Sequence, residues 1–229
     1  MREFNYYANE VIHEWIDGIV LAFQNEKNQK VLDVIKSIKR YKEFTSFSPT
    51  LKGNFKFTLP DDYRHLSNLI VFLRVVKPIR DKCYPPSDTL IEFKALQMSP
   101  DLEASVKQDY FQRPRYFRPY YSIVGDECEI HTDSNVGLPG SGAPIELVKV
   151  RMDYIKTPEE INLTYDQAYS EGEDTSQVLE FDELACRHIR KMLIQRVMER
   201  DSDPRVQTHI PITQLKRTPD LVSADVRNV

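Results

Sequence analysis

Apolar residues recur at three- and four-residue intervals from the start of the chain: Phe4, Tyr7, Ala8, Val11, Ile12, Trp15, Ile19, Ala22 and Phe23. That spacing returns side chains to one side of a 3.6-residue turn, so it predicts an amphipathic helix that tolerates Gly18. After the polar break Gln24 to Gln29, the residues Val31, Val34, Ile35, Ile38 and Tyr41 repeat the spacing and predict a second helix, antiparallel to the first. Lys36, Lys39, Arg40 and Lys42 would give this second helix a basic face, a candidate DNA-facing surface. More often such a face is simply solvated.

From Asn54 the period changes to two. Phe55 and Phe57 alternate with Lys56 and Thr58 before Leu59-Pro60-Asp61-Asp62, and Pro60 disfavours helix at the residue before it. Leu69 to Val76 and Thr89 to Phe93 read as strands. Tyr120 to Val124 and Glu127 to His131 bracket Gly125-Asp126 as a hairpin. Ile145 to Ile155 alternates imperfectly and predicts one long strand with a bulge. A helical excursion is expected at Leu102 to Tyr110. The middle of the chain is therefore expected to be a small antiparallel β-domain.

Between Pro158 and Glu183 there are nine acidic residues and no basic one, whereas Arg187, Arg190, Lys191, Arg196 and Arg200 follow within a short span. Acid at the N-terminal end and base at the C-terminal end complement a helix dipole. Phe181, Leu184, Ala185, Ile189, Met192, Leu193 and Val197 supply its apolar face, and Asp201-Ser202-Asp203-Pro204 stops it. His188 and Arg196 fall in the same arc, where pairing with a carboxylate, across a subunit interface for example, fits better than catalysis. Beyond Pro204 neither period persists, and the last segment reads as an extended arm reaching at most roughly 85 to 90 Å.

The expected fold is thus α+β: a helical bundle from the N- and C-terminal helices, an inserted antiparallel β-domain and a C-terminal arm. Its boundaries are 1–53 for the N-terminal helices, 54–157 for the β-domain, 158–203 for the acidic linker and closing helix, and 204–229 for the arm. At 229 residues, with 41% hydrophobic and 29% charged, the chain is that of a folded protein rather than a disordered or fibrous one. The net charge of −4 makes no general demand for nucleic acid or an anionic membrane.

Cys83, Cys128 and Cys186 are odd in number and lack a CxxC spacing, against a disulfide framework and for a reducing compartment. No apolar run approaches the ~20 residues of a membrane span, and the opening Met1-Arg2-Glu3-Phe4-Asn5 does not read as a secretory leader. The expectation is synthesis in the cytoplasm.

The obvious catalytic signatures GxxxxGK[ST], GxGxxG, GxSxG and HExxH are missing, so no enzyme, cofactor or metal is expected. Gly137-Leu138-Pro139-Gly140-Ser141-Gly142 lacks the lysine and following helix of a phosphate cradle and reads as a flexible hairpin loop. Cys128 and His131 have a C-x2-H spacing, but strand alternation sends residues three apart to opposite faces. The stretch from Tyr110 to Tyr121 is the most unusual, with Phe111, Arg113, Arg115, Tyr116, Phe117, Arg118 and Tyr120 interleaved. Such residues stack on bases and hold phosphates, but they are equally those enriched in protein interfaces. The protein interface is favoured, with a nucleic-acid-binding module as the alternative.

In the order of its features the chain resembles the head-to-tail connector, or adaptor, proteins of tailed bacteriophages, especially neck ring proteins of short-tailed and crAss-like phages. The resemblance is carried by the opening helical run Glu3 to Ile12 and by Phe57-Thr58-Leu59-Pro60-Asp61-Asp62-Tyr63-Arg64-His65-Leu66. It continues in Tyr120 to Ile130, in Val150-Arg151-Met152-Asp153-Tyr154-Ile155-Lys156-Thr157-Pro158-Glu159-Glu160-Ile161, and in Phe181 to Arg187. It implies a bundle of terminal helices around an inserted β-domain, assembled as a ring, commonly of twelve copies, beneath the portal of the virion. The implied partners are further copies of the chain, the portal, other neck or tail proteins, and DNA passing through the lumen without sequence-specific binding; no membrane is implied. The candidate subunit or portal contacts are Arg113, Arg115, Tyr116, Phe117, Arg118, Tyr120, Arg196 and, on the arm, His209, Ile210, Pro211 and Ile212.

Overall fold

A computed structural model describes residues 2–26, 34–51, 53–77, 88–99, 101, 103–162 and 179–200. The protein is α+β, and its chain divides into two compact units. One unit is formed by the segments before residue 40 and after residue 156; the other is Arg40–Lys156.

In the first unit, α1 (Arg2–Glu26) buries Ala8, Val11, Ile12, Trp15, Ile16, Ile19 and Val20, the stripe that its spacing predicts. The closing helix (Glu183–Arg200, called α3 below) contributes Ala185 and Ile189. Its first turn is capped by Asp182, whose carboxylate accepts the Ala185 N–H at 2.8 Å. Phe181, just before the cap, meets Trp15 edge-on at 5.4 Å between ring centroids. Arg196 reaches Glu14 at 2.9 Å and Glu10 at 3.6 Å, and Arg200 reaches Glu3 at 2.8 Å. Later residues of α3 thus meet earlier residues of α1, so the two helices are antiparallel.

Asn9 ties down the chain beyond the β-rich unit. Its side-chain amide donates to the Ile161 carbonyl at 3.1 Å, and its oxygen accepts the Ile161 N–H at 2.7 Å. One side chain thereby satisfies both backbone groups of a residue outside any helix or strand.

Three expectations need correction here. The predicted second helix does not form: Lys36–Ile38 is a single 3-10 turn, and Lys39–Phe44 is a strand, β1. Ile35 and Ile38 are buried, but Tyr41 is 68% exposed, so the stripe stops where the backbone extends. The boundary between helical and β regions accordingly falls near residue 40 rather than 54. The apolar face of α3 is also narrower than its spacing suggests, because Leu184 and Val197 are exposed. The arm, 204–229, and most of the acidic linker lie outside the described residues.

In the second unit the remaining elements are β2 (Ser48–Pro49), β3 (Asn54–Thr58), β4 (Tyr63–Val75), β5 (Leu90–Lys94), β6 (Leu96–Gln97) and α2 (Glu103–Gln108). There follow β7 (Tyr120–Val124), β8 (Glu127–His131), β9 (Val136–Gly137) and β10 (Ile145–Lys156). Among the described residues one sheet runs β1-β10-β4-β5, with β9 also on β10; the other runs β2-β3-β8-β7-β6. The short β6–β7 and β9–β10 contacts are parallel. The β7–β8 hairpin forms as predicted around Gly125, which takes a φ of +60°.

β4 buries Leu69, Val71, Leu73 and Val75 in strict alternation. β10 buries Ile145 and Leu147, then changes phase to Val150, Met152 and Tyr154. The change coincides with a bulge between Leu147 and Lys149, which accounts for the imperfect alternation in the sequence. Phe55, Phe57, Tyr121, Cys128 and Ile130 of the other sheet join the same core.

The glycine-rich stretch is not a hairpin, because β9 and β10 pair in parallel. It curls back with Gly140 at φ +81°, and the Gly140 N–H donates to Glu146 at 2.8 Å. Arg74, opposite Glu146 in the β4–β10 register, pairs with the same carboxylate at 2.8 Å. That ion pair, followed by the Gly140 N–H, holds the Glu146 carboxyl below its usual range. Among the described residues, no helix is long and apolar enough to cross a membrane.

Two glycines should respond oppositely to alanine. Gly53 has φ +82°, and a Cβ there would run into the Asp133 carbonyl, so Gly53→Ala should cost at least ~2 kcal/mol. Gly18 lies within α1 with nothing near its missing Cβ, so Gly18→Ala should gain about 0.5–1 kcal/mol. Urea unfolding midpoints of the two variants measure both, and a shift of either in the opposite direction would contradict the local geometry.

Candidate functional site

The segment between α2 and β7 is a compact loop built from its own side chains. Asp109 starts it: its carboxylate accepts the Phe111 N–H at 2.8 Å, and its carbonyl accepts the Arg113 N–H at 2.8 Å. Arg115 and Arg118 then form a mutual backbone bridge. The Arg115 guanidinium donates to the Tyr110 carbonyl and that of Arg118 to the Phe111 carbonyl, each at 3.2 Å.

Cation–π contacts tie the same groups together. Arg113 and Arg115 lie over the Tyr110 ring at 4.8 and 5.3 Å, Arg115 over Phe117 at 5.6 Å and Arg118 over Tyr120 at 5.6 Å. Tyr110 and Phe111 remain exposed, Phe111 by 82%.

Beneath the loop is a cavity of about 530 Å³. Lys107, Arg113 and Arg115 bring cations to its wall, and Asp133 brings a carboxylate. Each Asp133 oxygen accepts one backbone N–H, that of Tyr116 at 3.1 Å and that of Asn135 at 2.9 Å. Lys107 pairs with Glu103, one helical turn before it. Arg113, Arg115 and Arg118 have no carboxylate partner among the described residues.

The predicted contact residues do not all reach this surface. Arg113 and Phe117 are exposed, and Arg115 and Arg118 are half-buried. Tyr116 is half-buried, packed edge-on against Phe93 with centroids 6.2 Å apart. Tyr120 is 6% exposed, and its place on β7 opposite His131 makes it a core residue rather than a surface contact. Arg196 belongs to the other unit, where Glu14 and Glu10 of the same chain pair with it without any neighbouring subunit. His209, Ile210, Pro211 and Ile212 lie outside the described residues.

Lys36, Lys39, Arg40 and Lys42 do not share a helical face. Lys36 is in the 3-10 turn and the other three are on β1, where consecutive side chains alternate between faces. Arg40 and Lys42 share a side of β1, and Lys39 has the opposite one.

Lys107 and Asp133 escape a reading of the sequence alone. They come from separate segments and meet only through the placement of α2 and of the turn after β8.

Cys128 and His131 separate as strand alternation requires. Cys128 points into the core, where burial pushes its thiol up to about 12. His131 is fully buried and shares a 2.9 Å hydrogen bond between its Nε2 and Ser122 Oγ. Its Nδ1 has no hydrogen-bond partner among the described residues and lies 4.0 Å from Glu129 Oε1. No group of three or more metal-ligating side chains comes together among the described residues.

Burial, and then the nearby Lys107, lower the His131 pKa, against the opposing pull of Glu129 and Glu103. The unfolded chain therefore binds this proton more readily, beginning near pH 6.5. The stability contributed by neutral His131 should be present above that pH and decline as pH falls toward the lower folded pKa. His131→Gln, which cannot take up the proton, should show a smaller drop in urea midpoint between about pH 7.5 and 5.5 than the parent chain. Equal drops would show that other groups set the acid sensitivity.

Compared with known proteins, the chain matches no protein-family model and no curated relative.

Proposed function

We propose that the chain is a structural subunit of a bacteriophage neck, a ring-forming adaptor that joins the portal to the tail and surrounds the channel for DNA. The observation that carries this reading is the antiparallel pairing of α1 and α3, from opposite ends of the described chain, with the whole of Arg40–Lys156 inserted between them as a β-rich unit. That is the order of parts which the resemblance implies.

The role is assembly rather than chemistry. A closed ring needs heterologous contacts, in which each subunit presents two different surfaces, one to each neighbour. The exposed Arg and aromatic loop of the β-rich unit suits one of them, since Tyr, Phe and Arg are favoured where protein surfaces meet. In this reading the mature protein resides in the virion neck after synthesis in the bacterial host.

The test is the native mass of the purified full chain by light scattering over a range of concentrations, alone and with a candidate portal protein. A discrete ring-sized species, or capture by the portal in a fixed stoichiometry, is the expected result. A persistent monomer that ignores the portal and instead binds DNA with steep salt dependence would replace this reading with the nucleic-acid module.

A further inference from the structure

The cavity beneath the Arg and aromatic loop has an imbalance of charge that the described residues do not resolve. Three cationic residues, Lys107, Arg113 and Arg115, line it beside one acidic residue, Asp133, whose oxygens each accept a backbone N–H. Lys107 has Glu103, but Arg113 makes neither a side-chain hydrogen bond nor an ion pair with any described residue. A guanidinium presents N–H groups in a planar fork that matches a carboxylate, and no carboxylate among the described residues pairs with that of Arg113.

The rings decide which part of each arginine is available. Arg113 lies over Tyr110, and Arg115 over both Tyr110 and Phe117, so the chain's own aromatics already occupy guanidinium faces. The N–H edge of Arg113 stays free to donate to an oxyanion. At about 530 Å³ the cavity suits a few side chains of an extended segment, not a folded element.

The same sequence contains a complement. Residues 163–178 carry Asp166, Glu171, Glu173 and Asp174 and no Lys or Arg. We propose that the cavity bounded by Lys107, Arg113 and Arg115 receives carboxylate side chains from segment 163–178 of a second copy of the chain. A basic cavity on one subunit and an acidic segment on the next are the two unlike surfaces that a ring requires. The assignment rests on the proposed ring for the nearness of a second copy, and adds which surfaces meet.

The test uses the full chain carrying Glu171→Gln, Glu173→Gln and Asp174→Asn, so that its own segment does not compete. A fluorescein-labelled peptide of residues 163–178 is titrated with it and followed by anisotropy. Saturable, salt-sensitive binding is expected, weakened about tenfold or more by Arg113→Ser with Arg115→Ser and unchanged by Lys94→Ser, an exposed lysine on β5. Circular dichroism of the arginine variant confirms that the loop substitution leaves the fold in place.

Absence of saturable binding overturns the proposal, as does binding that ignores the arginine substitutions. So does preference of the same arginines for a labelled single-stranded oligonucleotide over the peptide. Because the readout needs neither ring nor portal, peptide binding by a chain that never assembles would keep the cavity as a carboxylate site while overturning the second copy as its occupant, and with it the adaptor reading. Rings that form without peptide binding would do the reverse.

Discussion

The β-rich unit depends on one antiparallel pairing, that of β4 with β10, in register from Ile145 opposite Val75 to Lys156 opposite Tyr63. Among the described residues these are its longest strands, and each supplies a row of fully buried aliphatic residues to the core. β1 and β5 extend the sheet on either side, and β9 attaches at the beginning of β10. The register shifts between Leu147 and Lys149, where β10 carries a bulge. One extra residue on β10 resets its phase so that Val150, Met152 and Tyr154 return to the core.

Much of this is legible in the sequence because it is local and periodic. The stripe of α1, the Gly125-Asp126 hairpin and the long strand from Ile145 each announce themselves within a window of about a dozen residues. The lost second helix shows where local reading fails. Ile35 and Ile38 are three apart, a spacing that a 3-10 turn and an α-helix share, and both are indeed buried. The next residues become strand because β10, more than a hundred positions later, offers a free edge to pair with. No window around Lys39 contains that information. The cavity fails for the same reason: its arginines stand out by composition, whereas Lys107 and Asp133 are unremarkable until the fold gathers them.

The helical unit obeys a different balance. Its ion pairs, Arg196 with Glu14 and Glu10 and Arg200 with Glu3, lie at exposed or partly exposed positions where solvent screens them. Burial of Ile12, Ile16 and Ile19 against water is the larger force, at about 1.5–3 kcal/mol for each fully buried side chain. The charges therefore select the antiparallel alignment more than they supply its strength. The Asn9 clamp on Ile161 acts similarly, fixing the course of a segment that has no regular backbone pairing of its own.

The Arg and aromatic loop turns that distinction to use. A free arginine that orders on binding loses rotamer entropy, roughly 0.5–1.5 kcal/mol for a long side chain, and the loss subtracts from affinity. Here Tyr110 and Phe117 hold the guanidinium of Arg115, and the Tyr110 carbonyl accepts one of its N–H groups. Most of that ordering is complete when the loop folds. The charges nevertheless remain without carboxylate partners among the described residues, and exposure keeps their desolvation small while the chain is alone. Such a surface tolerates solvent while unoccupied and loses little entropy when an oxyanion meets it, the combination that the proposed contact between copies would require.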